Sequence, residues 1–275
     1  MYFSAGLATG VQALRSGAIW DLNWCMKDFP DLSACVDALE GHRVLVVGDI
    51  MLDRYVYGSV DRVSQEGPVP VLKVTREEES LGAAGNVLVN LRELGVDPHI
   101  VSVTGTDSAG ERLREIAEAY GLDLSGLIAD PSRPTTVKTR FVARNQQLLR
   151  TDYEQSCELG AAAQEAALTR IRDRLHFCSA LILSDYAKGM LDNDLIRKVI
   201  DLAHAESVPV VIDPKGSDYS RYRGADWITP NRKELSEAAG ASLCLSDDAI
   251  ANAALNVLRG AGIGGMFATR SEDGV

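Results

Sequence analysis

The sequence predicts an α/β protein: a doubly wound, mostly parallel sheet with helices on both faces and a small β-lid. Three observations predict it. Short β-branched runs alternate with amphipathic stretches of helical length, the pattern of parallel strands joined by crossover helices. Polar residues follow those runs directly, as Asp49, Asp185, Asp213 and Asn231 do, and in open α/β sheets ligands bind outside the carboxyl ends of the strands. Two stretches break the alternation and repeat with a period of two instead, which assigns them to strands outside the main sheet.

Taken in order, residues 1–25 show no periodicity and read as an appendage. Arg15 interrupts what would be the apolar region of a signal peptide. A helix-like segment over 32–39 leads into the first strand, 43–48, and Met26 reads as closer to the natural start. Leu81-Gly82-Ala83-Ala84-Gly85-Asn86 then opens a helix over 84–94. Its small residues let backbone pack close to a bound molecule, and Asn86 carries both a donor and an acceptor. Further strands are predicted at 99–103, 180–184, 208–213, 226–229 and 265–269, and helices at 109–120, 161–174, 192–204, 231–239 and 247–259.

The lid comes from 56–75, where Val69, Val71 and Lys73 alternate after a Gly67-Pro68 break, and from 135–151, a hairpin turning near Asn145-Gln146. No internal repeat or low-complexity linker divides residues 26–275, which read as one domain with a lid. The sequence stops at Val275 just after a strand-like segment, so the C-terminal part of the domain is expected to be missing.

The 275 residues suffice for a full core. A formal net charge of -11 argues against general binding to nucleic acid or anionic membrane. Any bound phosphate must therefore meet a local concentration of Lys and Arg. Five widely spaced cysteines without a C-x-x-C pair read as reduced thiols of a cytoplasmic protein. No apolar run is long enough to span a membrane.

Asp49 and Asp53 lie four apart, on a strand end and the loop beyond it, and an ionised carboxylate accepts hydrogen bonds from sugar hydroxyls. Arg54 and Arg62 are alternative partners for Asp53, and every post-strand Asp or Asn has a cap or turn as its alternative role. Asn231-Arg232-Lys233-Glu234 opens a helix whose free N–H groups favour a phosphate. The same residues also fit a capping box. Lys188 and Lys215 fall on loops at the sheet's active edge, where a cation can neutralise a moving phosphoryl group. From Arg133 to Thr151 the chain holds Arg133, Lys138, Arg140, Arg144 and Arg150 and no acid. Lys138, Arg140 and Arg144 share parity, so an extended strand projects them from one face. That face either clamps an anion or guards an edge strand against aggregation.

Several of these stretches occur together and in order over roughly residues 42–275: Gly48-Asp49-Ile50-Met51-Leu52-Asp53-Arg54-Tyr55, Pro68-Val69-Pro70-Val71, the small run ending at Asn86, Arg144-Asn145-Gln146-Gln147-Leu148-Leu149-Arg150, Ser184-Asp185-Tyr186-Ala187-Lys188-Gly189 and Asn231-x-x-Glu234. In this the chain resembles the ribokinase-like carbohydrate kinases, and among them the heptose 7-phosphate kinases, which occur alone or as the N-terminal half of a bifunctional protein. The resemblance implies ATP-dependent phosphorylation of D-glycero-β-D-manno-heptose 7-phosphate at its anomeric oxygen, toward ADP-heptose and the lipopolysaccharide core. It implies substrate contacts from Asp49, Asp53, Gly82, Asn86, Lys138, Arg140 and Arg144, and nucleotide contacts from Lys188, Asp213, Lys215, Asn231 and Glu234. Asn231 and Glu234 would meet magnesium indirectly, and two chains would pair through the lid.

The family's catalytic base is an Asp in a Gly-Ala-Gly-Asp run at a helix start. No such run occurs here. It is expected beyond Val275, and the chain as written is expected to turn over very slowly. Two other readings stand beside this one: another ribokinase-like sugar or sugar-phosphate kinase, and a non-catalytic sugar-phosphate binding module. A dinucleotide-binding enzyme would need a glycine-rich fingerprint where Gly48-Asp49-Ile50 stands.

Overall fold

The computed structural model describes residues 32–240, 247–271 and 274–275. The chain divides into two compact units, residues 1–39 and 40–275. In the first unit, helix α1 (Leu32–Asp37) occupies the predicted helical segment. The expected appendage and the start at Met26 lie outside the described residues.

The second unit is built on a seven-stranded sheet in which every pairing is parallel. Its strands are β1 (Arg43–Gly48), β4 (Asp97–Thr104), β5 (Leu127–Ala129), β8 (Ala180–Ser184), β9 (Val210–Asp213), β10 (Trp227–Ile228) and β11 (Gly265–Met266), in the order β11-β10-β9-β8-β1-β4-β5. The crossovers are α2 (Ala84–Glu93), α3 (Ser108–Ala119), α4 (Ala161–Leu175), α5 (Asn193–Ala205), α6 (Arg232–Ala239) and α7 (Asp247–Ala261). Each helix end lies within two residues of its predicted place. Start signals explain part of that accuracy: Asp107 and Asp192 accept hydrogen bonds from the N–H groups of Gly110 and Leu195 in the first turns of α3 and α5.

The apolar run of β1 serves two cores. Val44 and Val46 face a cluster with Leu88, Leu113 and Ile116, while Leu45 and Val47 face one with Ile171, Leu195 and Val199. Alternation across a strand puts neighbours on opposite faces, and each such side chain contributes about 1.5–3 kcal/mol when fully buried. The winding reverses between β1 and β8, because β4 extends the sheet on one side of β1 and β8 on the other. The carboxyl ends of these two strands, Gly48 and Ser184, therefore open the switch-point crevice where α/β sheets bind ligands.

At Asp49 the chain leaves the main sheet for a second, four-stranded one. It is ordered β3 (Pro70–Ala83), β2 (Ile50–Val63), β6 (Val137–Ala143), β7 (Gln146–Tyr153), with β2 and β6 parallel and the outer pairs antiparallel. This lid is longer than the alternation suggested. Residues 76–80 read Arg-Glu-Glu-Glu-Ser, have no hydrophobic period, and are strand only because they pair with β2. The hairpin turns one residue earlier than expected, at Arg144-Asn145, whose φ values of 49° and 63° fit a two-residue primed turn. Strand β5 and a 3-10 turn at Tyr219–Tyr222 had no predictive signal. Among the described residues no helix is long and apolar enough to cross a membrane.

Candidate active site

Two cavities adjoin at the crevice. One, of about 720 Å³, lies against the lid strands and is lined by Asp53, Asn86, Lys138, Arg140 and Lys188 among others. The other, of about 640 Å³, includes Asp213, Asn231 and Glu234. Tyr186 and Lys215 line both.

In the lid-side cleft Asp53 stands within β2, not on a loop, opposite Ser80 of β3. Its partner is Arg140, whose Nη1 donates to Oδ1 at 2.6 Å, and neither Arg54 nor Arg62; Arg54 is bonded to Glu79 at 2.9 Å. Gly82 makes room for this carboxylate. A Cβ there would lie 2.5 Å from Asp53 Oδ2 and 2.8 Å from Met51 Cγ.

Two expected substrate residues are placed elsewhere. Asp49 is 3% exposed and does not line the cleft. Its Oδ2 accepts the N–H groups of Tyr186 and Lys188, and Oδ1 that of Met190, each at 3.0 Å. Burial pushes its carboxyl above the usual carboxylate range, against the pull of those three bonds. Three converging donors turn Asp49 toward a loop of the protein rather than a ligand. Arg144 sits in the primed turn with its side chain 82% exposed, 3.7 Å from Asp61. Strand parity fails to carry it into the cleft because the register shifts between Phe141 and Val142 and the strand ends at Ala143. Arg150 of β7 lines the cleft in its stead. Arg133 is 7% exposed and donates to the carbonyls of Gln155 and Lys188, so it braces backbone.

Two acids of the cleft, Asp152 and Glu154, escaped the sequence reading. Lys138 Nζ donates to Asp152 at 2.9 Å and to Glu154 at 3.3 Å, Lys188 Nζ to Glu154 at 2.7 Å, and Arg150 Nε to Asp152 at 2.9 Å. The Lys138 hydrogen bond holds Asp152 below the carboxylate range. Burial pushes Glu154 up, but Lys188 and Lys138 outweigh it and hold it low. A signal existed: residues 150, 152 and 154 share parity, so the β7 face that shows Arg150 also shows Asp152, and Glu154 follows one residue past the strand's end.

On the other side Asn231 caps α6 with a complete capping box. Its Oδ1 accepts the Glu234 N–H at 3.0 Å, and Glu234 Oε2 accepts the Asn231 N–H at 3.1 Å. Glu234 Oε1 accepts from Lys215 Nζ at 3.2 Å. The Lys215 loop is tied to the β8 end by Tyr222, whose hydroxyl donates to Asp185 at 2.7 Å and accepts the Lys215 N–H at 3.0 Å. Asp213 is pushed up to about 6 by burial and by the Glu234 charge.

The Asp213 shift fixes a pH prediction. A carboxyl held above its unfolded value stabilises the fold fully below pH 4, and that contribution is lost as pH rises through about 6. Asp213→Asn, which cannot ionise, is therefore expected to gain stability over the parent at pH 8, on the order of 2–3 kcal/mol. The gain should close at pH 4. Urea midpoints at both pH values check this, and a gap of equal size at each would refute the charge argument.

Residues 42–275 match the pfkB family carbohydrate kinase profile. The chain belongs to that family. Among relatives, it is 44% identical over 250 residues to the bifunctional protein HldE of Paramagnetospirillum magneticum, covering 91% of this chain and 51% of that protein. It is 43% identical over 233 residues to the D-beta-D-heptose 7-phosphate kinase of Bordetella bronchiseptica, covering 85% and 72%. The chain thus spans about half the length of the bifunctional relatives. Phosphofructokinase-2 from Escherichia coli, solved with substrates and products, superposes with a TM-score of 0.68 at 15% identity over 84% of this chain and 73% of that one. Arabidopsis thaliana ribokinase, solved with ribose and ATP, gives 0.61 at 16% identity, covering 84% and 72%. These likenesses show that this pfkB chain has the ribokinase-like fold expected of it.

Proposed function

We propose that this chain is the kinase part of an ATP-dependent heptose 7-phosphate kinase, transferring the γ-phosphoryl group to the anomeric oxygen of D-glycero-β-D-manno-heptose 7-phosphate. The observation that carries this reading is the cleft beside the lid. Lys138, Arg140, Arg150, Lys188 and Lys215 converge there against three acids, Asp53, Asp152 and Glu154, in a chain of net charge -11. Lys215 and Lys188 serve the nucleotide's phosphoryl group, and Lys138 and Arg150 on the lid strands fit a sugar that already bears a phosphate. The 43% identity to a relative that bears the name D-beta-D-heptose 7-phosphate kinase supports the same substrate.

In this reading Asp53, fixed by Arg140 over Gly82, orients sugar hydroxyls, and Asn86 adds a donor and an acceptor from the start of α2. Lys138 and Arg150 take the 7-phosphate. The N-terminus of α6 turns its positive dipole end toward the nucleotide phosphates, its Arg232 and Glu234 N–H groups being taken by Thr269 and Asn231, with Lys215 and Lys188 neutralising the phosphoryl group in flight. Among the described residues no cluster of three or more acidic, His or Cys groups could hold a metal. The crowded pair Asp213 and Glu234, whose charges oppose each other, fits instead a magnesium ion that arrives on the nucleotide and keeps its waters. With Asn231 they would hold it, and the ion would supply charge neutralisation at the phosphates. The proton acceptor is assigned to none of the cleft's acids, since each already pairs with a cation. Pairing of two chains through the lid belongs to this reading; β7 is exposed along its whole length and shows Leu148, Leu149 and Tyr153.

Thermal unfolding with heptose 7-phosphate, fructose 6-phosphate and MgATP tests it, because a ligand bound only by the native state raises the midpoint. The expected result is a shift with heptose 7-phosphate and MgATP and little with fructose 6-phosphate. A shift with fructose 6-phosphate alone would transfer the assignment to another sugar-phosphate kinase.

A further inference from the structure

We infer that residues 186–190 form a backbone anion nest whose resident anion is the Asp49 carboxylate, making Asp49 a positioning residue for the cleft. The donors are the alternate N–H groups of Tyr186, Lys188 and Met190, all converging on one carboxylate at 3.0 Å. The residues between them, Ala187 and Gly189, have φ values of 54° and 98°. Alternating hand along the backbone is what aims successive N–H groups into one concavity that binds an anion. A left-handed alanine costs about 1–2 kcal/mol, so the loop keeps this shape only against a compensating attraction. Glycine is required at 189, where a Cβ would lie 1.8 Å from the Cys157 carbonyl oxygen.

The nest points away from the ligand space while two of its side chains point into it. Asp49 is buried at the junction of the two sheets, and the side chains of Tyr186 and Lys188 line the lid-side cleft. Lys188 is held on both sides of its peptide unit: its N–H by Asp49 and its carbonyl by Arg133. Its ammonium then reaches Glu154 at 2.7 Å. Removing the anion leaves three donors without their acceptor and frees the loop to relax, which displaces Lys188 from the cleft.

The test is chemical rescue in the 275-residue chain. In Asp49→Ala, the amide protons of Tyr186, Lys188 and Met190 are expected to exchange with solvent at least tenfold faster than in the parent. Formate, which restores a carboxylate, is expected to slow them again, and formamide, the same size without charge, is not. Resting on the proposed function, the second arm reads the Kd for heptose 7-phosphate, expected to weaken at least tenfold and to recover with formate. Val101→Ala, a cavity elsewhere in the same sheet, controls for lost stability and should change neither readout. Where Asp49→Ala does not fold, Asp49→Asn takes its place, and its Tyr186, Lys188 and Met190 amide protons are expected to move upfield. Unchanged exchange, unmoved amide protons, equal effects of formate and formamide, or equal effects in Val101→Ala would each overturn the nest. Absence of heptose 7-phosphate binding by the parent chain would overturn the proposed function and leave the exchange arm to decide the nest.

Discussion

Lys138→Ala is expected to weaken heptose 7-phosphate binding about a hundredfold, the upper part of the range for one charge-assisted hydrogen bond of about 1.5–3 kcal/mol. The site argues for the upper part. Lys138 is 12% exposed and stands between Asp152 and Glu154. In the variant these acids lose a shared cation and face the incoming phosphate with their charge less compensated, so repulsion adds to the lost bond. Arg150 and Lys188 remain to hold them in part. The nucleotide side has no contact with Lys138 among its lining residues, so MgATP affinity should change less than threefold. Calorimetric titration of both ligands checks the pair of values; equal losses for the two would mean that the variant damages the fold and not the phosphate site.

Gly48→Ala is expected to cost about 3 kcal/mol or more in stability, because it overpacks backbone against backbone. Gly48 ends β1 opposite Ser184 of β8, and a Cβ there would lie 2.1 Å from the Ser184 carbonyl oxygen and 2.9 Å from its carbonyl carbon. No flexible side chain can yield. That oxygen also accepts the Asp49 N–H at 3.2 Å, and the Gly48 carbonyl accepts the Ser102 hydroxyl at 2.5 Å. Separating β1 from β8 would break the first of these and carry Asp49 away from its loop. A lower urea midpoint at unchanged slope is the expected signature, together with loss of the ligand-induced thermal shift. An unchanged midpoint would show that β1 and β8 can part without cost.

Much of the frame was legible along the chain. The apolar runs of β1 and β8 are continuous because both their faces are buried, and their ends coincide with those predicted. The capping residues Asp107, Asp192 and Asn231 mark helix starts by a local rule that needs no tertiary partner. The placement of polar residues after strands located the crevice for the same local reason.

Direction and partnership were not legible. Asp49 and Asp53 look equivalent in sequence, yet one is turned inward to bind Tyr186, Lys188 and Met190, 137 to 141 residues away, and the other meets Arg140, 87 residues away. Residues 76–80 became strand through pairing alone. Arg144 lost its face to a register shift, and the acids that neutralise Lys138 came from the next strand of the hairpin and the residue just past it. Composition and periodicity are local and determined the elements and the edge at which a ligand would bind. Which charge meets which depends on strand pairing between segments far apart in sequence, and only the folded chain decides that.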